Sequence, residues 1–461
     1  MNEKLDLQSS PDRDAEVPLE ATQKSRWQRI WPAMACGAGL FSDGYLQAVI
    51  GPVNTILSKL YPVSYAQSSA AQNVSSIAFA GTVVGQLVFG YTSDHYSRKW
   101  SLLVSTVILF VFAALGAGAY GANGSPQGLF AALTAFRFLL GIGIGGEYPA
   151  GSVACAEATG ELKEGSRNRW FCLFTNTQID LGFVIGTLIP MIITAARPDD
   201  LGLVWRLSLG LGVIPPLSLL YLRLKLKEPE SVSREAFRHG KTPYWLAIKY
   251  YWPRLVLVMM IWSATLRTCP GAILGSFTSD WLGPKRALMI FVAAQGVLGF
   301  IMSGCYEWLQ QPKYIGAFVV VYGVFLMLGE MGPGDNIGLV ASKTCATGIR
   351  GQYYAIAAAT GKVGGLVGGY VFPIIQADGG GATLHGGQYP FYVASALCFF
   401  SAFLVFWLPN INQDTIQTED IRFREYLVAN GYDISNMGNS EWQEKRKESV
   451  MGGHGGVMQR E

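Results

Sequence analysis

The charged residues of this chain are confined to three stretches. Of 67 in a chain of 461 residues, 37 fall within residues 1–30, 223–254 and 410–461, which leaves 30 for the other 347 positions. A soluble globular domain carries roughly 25% charged residues spread over its whole length, so this distribution excludes a large soluble enzyme. Long apolar blocks separated by short polar punctuation describe a chain that crosses a membrane many times, with the lipid bilayer as its surroundings. A net charge of +3 provides no basic field for nucleic acid. The seven cysteines (Cys36, Cys155, Cys172, Cys269, Cys305, Cys345, Cys398) lack CxxC spacing, and the four histidines (His95, His239, His385, His454) lack ligand spacing. Neither a disulfide framework, a metal site nor a cofactor is expected. Residues 1–30 contain no apolar core of a signal peptide, so the first span is expected to direct insertion.

Runs of about 20 apolar residues lie near 31–51, 70–91, 100–120, 129–153, 170–195 and 203–222, then near 286–304, 314–332, 351–374 and 390–408. Each must be helical, because lipid cannot satisfy an open backbone. The fold class expected is therefore all-α: a tail over 1–30, a six-helix bundle over 31–222, a linker over 223–252, a second bundle over 253–408 and a tail over 409–461. Basic residues alternate between loops. Lys24, Arg26 and Arg29 precede the first span, Arg98 and Lys99 follow the second, Lys163, Arg167 and Arg169 follow the fourth, and eight lie in 223–254. The intervening loops hold only Lys59 and Arg197. The positive-inside rule then places both termini in the cytosol. The block 253–279 breaks the alternation, since it starts and ends on the same side. Its 27 residues reach about 40 Å, enough for one crossing and not two. Eleven rather than twelve full spans are expected, with one helix missing or shortened; a broken hairpin is the alternative.

Two patterns repeat at matching places. Gly90-Tyr-Thr-Ser-Asp94-His-Tyr-Ser97-Arg98-Lys99 follows the second span, and Ser276-Phe-Thr-Ser-Asp280-Trp-Leu-Gly283-Pro284-Lys285-Arg286 stands 186 residues later. Equivalent loops in two half-chains indicate a duplicated, pseudo-symmetric pair of bundles. The fourth span carries Arg137-Phe-Leu-Leu-Gly141-Ile-Gly143-Ile-Gly145-Gly146-Glu147-Tyr148-Pro149. It contains GxGxxG, but no strand precedes it and no βαβ unit surrounds it, so a dinucleotide site is excluded. The glycines suit close helix packing. An arginine at mid-membrane costs ~2.5–3.5 kcal/mol and must face a cavity or a partner; a purely structural Arg–Glu pair is the simpler alternative. Asp43, Asp180 and Lys362 are further charges within spans. Arg137 and Lys362, from opposite halves, are expected to converge on one aqueous chamber, where guanidinium and ammonium suit a phosphate. Asp43, Glu147 and Asp180 are then the expected proton carriers, since burial favours their neutral forms.

The loop patterns resemble those of the major facilitator superfamily, with Ser97 and Pro284 departing from the usual residues. The resemblance sharpens to the fungal proton-coupled phosphate symporters, and within them to glycerophosphodiester permeases of the glycerophosphoinositol type. It rests on Gly143 to Pro149, Arg167-Asn-Arg-Trp170, Trp205-Arg206, Leu226-Lys-Glu228-Pro229-Glu230, Gly332-Pro-Gly-Asp335-Asn336, Ile349-Arg350-Gly351 and Gly361-Lys362. It implies a monomeric plasma-membrane symporter for a phosphate-containing solute and protons. By resemblance, Arg137, Tyr148, Gln178, Lys362, Asp335 and Asn336 bind substrate. Asp94, Arg98, Lys99, Asp280, Lys285 and Arg286 latch the cytosolic ends of neighbouring helices. Asp335-Asn336 favours an organic phosphate over inorganic phosphate. A sugar or other organic solute is the alternative cargo. A transport-defective paralogue or receptor is a further alternative, because the seventh span passes almost directly into the eighth.

Overall fold

The structure, a computed structural model, describes residues 26–438 apart from 161, 227–229, 238–241, 263–268, 382, 414 and 435–436. The first span is laid in three consecutive pieces, α1 (Arg26–Gly37), α2 (Gly39–Ala48) and α3 (Ile50–Leu60). There follow α4 (Ala70–His95), α5 (Arg98–Ala117), and α6 (Pro126–Gly146), which runs through a π-helical turn (Glu147–Ser152) into α7 (Val153–Thr159). Helices α8 (Arg167–Phe174), α9 (Asn176–Ala196), α10 (Leu201–Leu211) and α11 (Ile214–Leu224) complete the first bundle. A short helix, α12 (Glu230–Glu235), lies between the bundles. The second bundle contains α13 (Tyr244–Trp262), α14 (Cys269–Trp281), α15 (Pro284–Gly304), α16 (Tyr306–Leu309) and α17 (Ile315–Gly329). A second π turn (Glu330–Gly334) leads into α18 (Asp335–Lys343), followed by α19 (Arg350–Asp378), α20 (Leu384–Phe406) and α21 (Thr415–Ala429). Nine stretches among the described residues are long and apolar enough to cross a membrane, from Ala70–His95 to Leu384–Phe406.

Glycine decides how closely these helices approach. A Cβ on Gly145 would lie 2.3 Å from the Thr82 carbonyl oxygen, and one on Gly85 would lie 2.1 Å from that of Ile142. The glycine stripe of α6 therefore seats the backbone of α4 directly against it, the geometry that small residues allow between membrane helices. The same device joins α2 to α9, where a Cβ on Gly182 would meet the Phe41 carbonyl at 2.3 Å. Between the bundles, α4 runs beside α19 and α14 beside α8 and α9.

Three boundaries differ from the sequence expectation. Arg223 belongs to the first bundle, for it is fully buried near the end of α11. Helix α13 starts at Tyr244, nine residues before position 253. Residues 415–429 form a helix whose Phe423 and Leu427 are buried against the rest of the molecule. The block 253–279 supplies the end of α13 and most of α14, and its residues 263–268 lie outside the described residues.

Gly145→Leu is expected to lower the melting temperature of detergent-purified protein, through overpacking worth about 1–3 kcal/mol. Gly116→Ala, whose added Cβ meets nothing within 4 Å, is expected to leave it unchanged or raise it slightly. Equal melting shifts in a thermal scan of both variants would refute the packing argument.

Candidate transport site

At the basic end, two carboxylates 186 residues apart fasten the halves together. Asp94, ending α4, accepts hydrogen bonds from the backbone N–H groups of Gly351 (2.9 Å) and Gln352 (2.8 Å) in the first turn of α19. Asp280, ending α14, accepts one from the N–H of Arg169 (3.1 Å) in the first turn of α8. Each carboxylate thus occupies a helix N-terminus of the opposite half, where unpaired N–H groups and the helix dipole favour an anion. Gly351 is required there, since a Cβ would lie 2.7 Å from Asp94 Oδ1.

Arg98 binds Asp94 at 2.5 Å, Glu157 Oε1 at 3.2 Å and the Thr347 carbonyl at 3.2 Å. Arg350 meets the same Glu157 oxygen at 3.1 Å and Asp420 of α21 at 3.7 Å. Asp420 also accepts from the Thr347 N–H (2.7 Å) and hydroxyl (2.8 Å), so α21 is bound into the latch. Glu235 of α12 pairs with Arg424 of α21. Burial, reinforced by Asp420, raises the Glu235 carboxyl against the pull of Arg424. Lys285 and Arg286 are not the basic partners of Asp280, although Lys285 joins the start of α15 to the end of α20. Lys285 donates to the carbonyls of Phe406 and Leu408 and Arg286 is exposed, while the basic neighbour of Asp280 is Arg169, at 3.8 Å. Gly283, at φ 80°, turns the chain into α15 between Asp280 and these two residues. Lys99 is half-buried.

Deeper in the first bundle, Glu147 does not stand as an open acid. Arg223 grips its two oxygens at 2.7 and 2.6 Å, and the Ser105 hydroxyl donates to Oε1 at 2.9 Å. Both side chains are fully buried, and the pair ties the end of α6 to α5 and α11. Arg137 likewise departs from expectation. Its guanidinium donates to the carbonyls of Leu46 (2.8 Å) and Val74 (3.3 Å), acceptors offered by two helices packed beside it. It lies eleven residues from Tyr148, about 16 Å along the helix, and does not converge with Lys362.

Lys362 of α19 instead meets the first half at Tyr148. Its ammonium donates to the Tyr148 hydroxyl at 3.1 Å and lies 4.8 Å from that ring and 5.9 Å from the ring of Phe79. Tyr148 also lines a cavity of ≈ 30 Å³ shared by both halves, with Ser152, Asn176, Trp262, Asp335 and Tyr354 among its walls. The Asn176 amide donates to Asp335 Oδ1 (2.9 Å) and to Glu330 Oε1 (2.5 Å). Asp180 is buried one turn along α9 from Asn176. Asn336 faces away from the cavity's chemistry. It donates to the carbonyls of Met331 and Gly332 (both 3.0 Å) and accepts from Ser279 (2.8 Å), thereby satisfying groups that the π turn frees. Gln178 folds back to the Leu173 carbonyl at 3.4 Å. Asp43 is buried and accepts from Gln47, and its Oδ2 has no hydrogen-bond partner among the described residues.

The family model for sugar (and other) transporters matches residues 31–234 and 253–421. The chain belongs to this family of the major facilitator superfamily. It is 46% identical to the glycerophosphocholine permease GIT4 of Candida albicans over 453 residues, covering 90% of this chain and 85% of the relative. It is 44% identical to that organism's major glycerophosphoinositol permease GIT3, covering 94% and 88%. Among solved structures, the proton:xylose symporter XylE matches with a TM-score of 0.69 at 16% identity, covering 86% of this chain and 98% of that one. The protein is a membrane transporter and not an enzyme.

In this transporter the sequence reading overlooked Glu157, Glu330 and Asn176, and it counted Arg223 as a linker charge. Glu330 was detectable as the one charge within the apolar run 314–332, and Glu330-Met-Gly-Pro-Gly echoes Glu147-Tyr-Pro-Ala-Gly 183 residues earlier. Both motifs fold as π turns, in which proline cannot complete the regular α-helical ladder.

Asp94→Asn is expected to weaken the latch, because breaking one partner of a buried ion cluster costs about 3–5 kcal/mol. The transporter should then expose its basic end, seen as faster maleimide labelling of Cys345, a buried thiol on the chain segment leading to Arg350. An unchanged labelling rate would show that Asp94 does not hold the halves together.

Proposed function

We propose that this transporter is a proton-coupled symporter of the plasma membrane, acting as a monomer, that imports a glycerophosphodiester. Its basic end, with both termini, faces the cytosol. The observation that carries this reading is the Lys362–Tyr148 contact between the halves. A neutral sugar makes no use of an ammonium there, whereas a phosphodiester anion is attracted to it, and a hydroxyl and two aromatic faces keep that ammonium in place. The permeases of similar sequence carry solutes of this chemistry in their names. Trp262, packed on Gly361 beside Lys362, and Tyr354 offer apolar walls for the glycerol and head group. The cavity of ≈ 30 Å³ is far below the roughly 300 Å³ of a small-ligand pocket, so substrate enters only when the halves part. The latches at Asp94 and Asp280 open on the cytosolic side for release, and Asp43 and Asp180 remain buried acids that contribute to proton movement.

A transport-impaired paralogue is the second reading, favoured by the length of the block 253–279, whose 27 residues reach about 40 Å, enough for one crossing of the membrane and not two. The alignment with GIT4 also runs over 453 positions while taking in 90% of this chain, so several tens of the relative's positions have no counterpart here.

Uptake of labelled glycerophosphocholine and glycerophosphoinositol, in cells without endogenous uptake, separates the two readings. Saturable uptake stimulated by external acid is expected. Lys362→Ala should reduce it by about tenfold or more, in line with loss of a charge-assisted contact of roughly 1.5–3 kcal/mol. No accumulation despite surface delivery would establish the impaired reading, and full uptake by Lys362→Ala would eliminate the anion site.

A further inference from the structure

The second π turn places two carboxylates on one face. Residues 330 and 335 are five apart, and a turn closed i→i+5 brings such residues together where a regular α-helix would splay them. Both then converge on a single amide nitrogen, that of Asn176, within 3 Å of each. The carboxylates belong to the second half and the amide to the first, so this contact exists only while the halves are closed around the cavity. Glu330 is fully buried and Asp335 is 1% exposed.

The carboxyl of Asp335 stands out. Its Oδ1 accepts from Asn176, but Oδ2, packed against Gly275 of α14, is buried without a hydrogen-bond partner among the described residues, although Asp335 lines the cavity that reaches Tyr148. An unpartnered, desolvated carboxylate oxygen is unfavourable, and a proton on it removes the cost while creating an O–H donor. The cavity's ≈ 30 Å³ exceeds the roughly 10–15 Å³ that one water needs, which leaves room for the partner that carries that proton. The groups facing the pair are Asn176 and Asp180 from α9, Cys172 from α8, whose Sγ lies 3.5 Å from the Asp335 carbonyl, and Gln295 from α15, against Gly329. Helix α14 presents the glycines Gly271 and Gly275.

We propose that Asp335 is the proton-binding carboxyl of the transport cycle and that its bond to Asn176 ties proton occupancy to the relative position of the halves. The proposal rests on the symport reading above and reassigns Asp335 from substrate binding to proton binding. In each cycle Oδ2 takes one proton from water on the outer side and returns it to water on the inner side; no bond other than O–H forms or breaks. Tyr148, whose hydroxyl holds Lys362, and Asp335 stand on the walls of one small cavity. A phosphodiester anion bound at the first therefore favours the proton at the second through space, and the proton favours the anion equally, as linkage requires.

Two measurements test this. In the infrared difference spectrum of purified wild type minus Asp335→Asn at neutral pH, a protonated-carboxyl C=O band is expected, titrating away in alkali; its absence overturns the proposal. This arm requires no transported substrate, so it fails separately from the uptake test. In proteoliposomes, one proton per substrate lets a pH gradient of about one unit drive roughly tenfold accumulation. Asp335→Asn is expected to abolish that accumulation while glycerophosphocholine counterflow, which needs no net proton movement, persists at reduced rate. Gradient-driven accumulation by Asp335→Asn at the wild-type level also overturns the proposal. Asn176→Ala, which removes the bridge and keeps both carboxyls, should shift the pH midpoint of counterflow, and an unmoved midpoint refutes the tie to the halves.

Discussion

Two carboxylates, Asp94 and Asp280, each sit in the opened first turn of a helix from the other half of the molecule, and the closed shape of the protein depends on this exchange. A helix N-terminus presents N–H groups with no intrahelical partner, and a membrane interior offers no water to satisfy them. The anion supplies acceptors and charge at once. Because the donors lie on α19 and α8 while the acceptors lie on α4 and α14, the bonds hold only in one relative position of the bundles. Arg98, Glu157 and Arg350 neutralise what the caps leave over, and α21 adds Asp420 to the same cluster. Such contacts are exchangeable for water, which suits the opening proposed for this end.

The π turns at Glu147–Ser152 and Glu330–Gly334 extend the internal symmetry into the interior while giving its two copies different chemistry. In the first half the glutamate is locked by Arg223, and the turn presents Tyr148 to Lys362. In the second the glutamate shares an amide with Asp335. One copy thus became structural, with Glu147 paired to Arg223, and the other retains an oxygen without a hydrogen-bond partner among the described residues. Duplicated halves that diverge in this way provide a rigid face and a responsive face around one cavity, which is what alternating access requires.

Membership of the sugar (and other) transporter family and the fold shared with XylE leave the cargo to be argued from the site. A lysine between two bundles, held by a tyrosine hydroxyl and beside two rings, is placed to meet an anionic cargo. In the proposed cycle, closing the halves around that cargo excludes water and strengthens the polar contacts within.

The sequence by itself determined that this is a duplicated helical membrane protein with paired loop motifs, because spans are written in contiguous apolar runs and repeats in evenly separated patterns. It also identified Lys362 and Tyr148, since a charge stranded among apolar residues and an aromatic beside a glutamate are local facts. The partners were decided only by tertiary structure. Glu147 pairs with Arg223, 76 residues away, and Glu157 with Arg350, 193 residues away, and nothing local distinguishes these arginines from Arg137, which bonds backbone carbonyls instead. Packing chooses among equivalent charges by which one a glycine-seated helix brings within reach, and that choice is not encoded in any single segment.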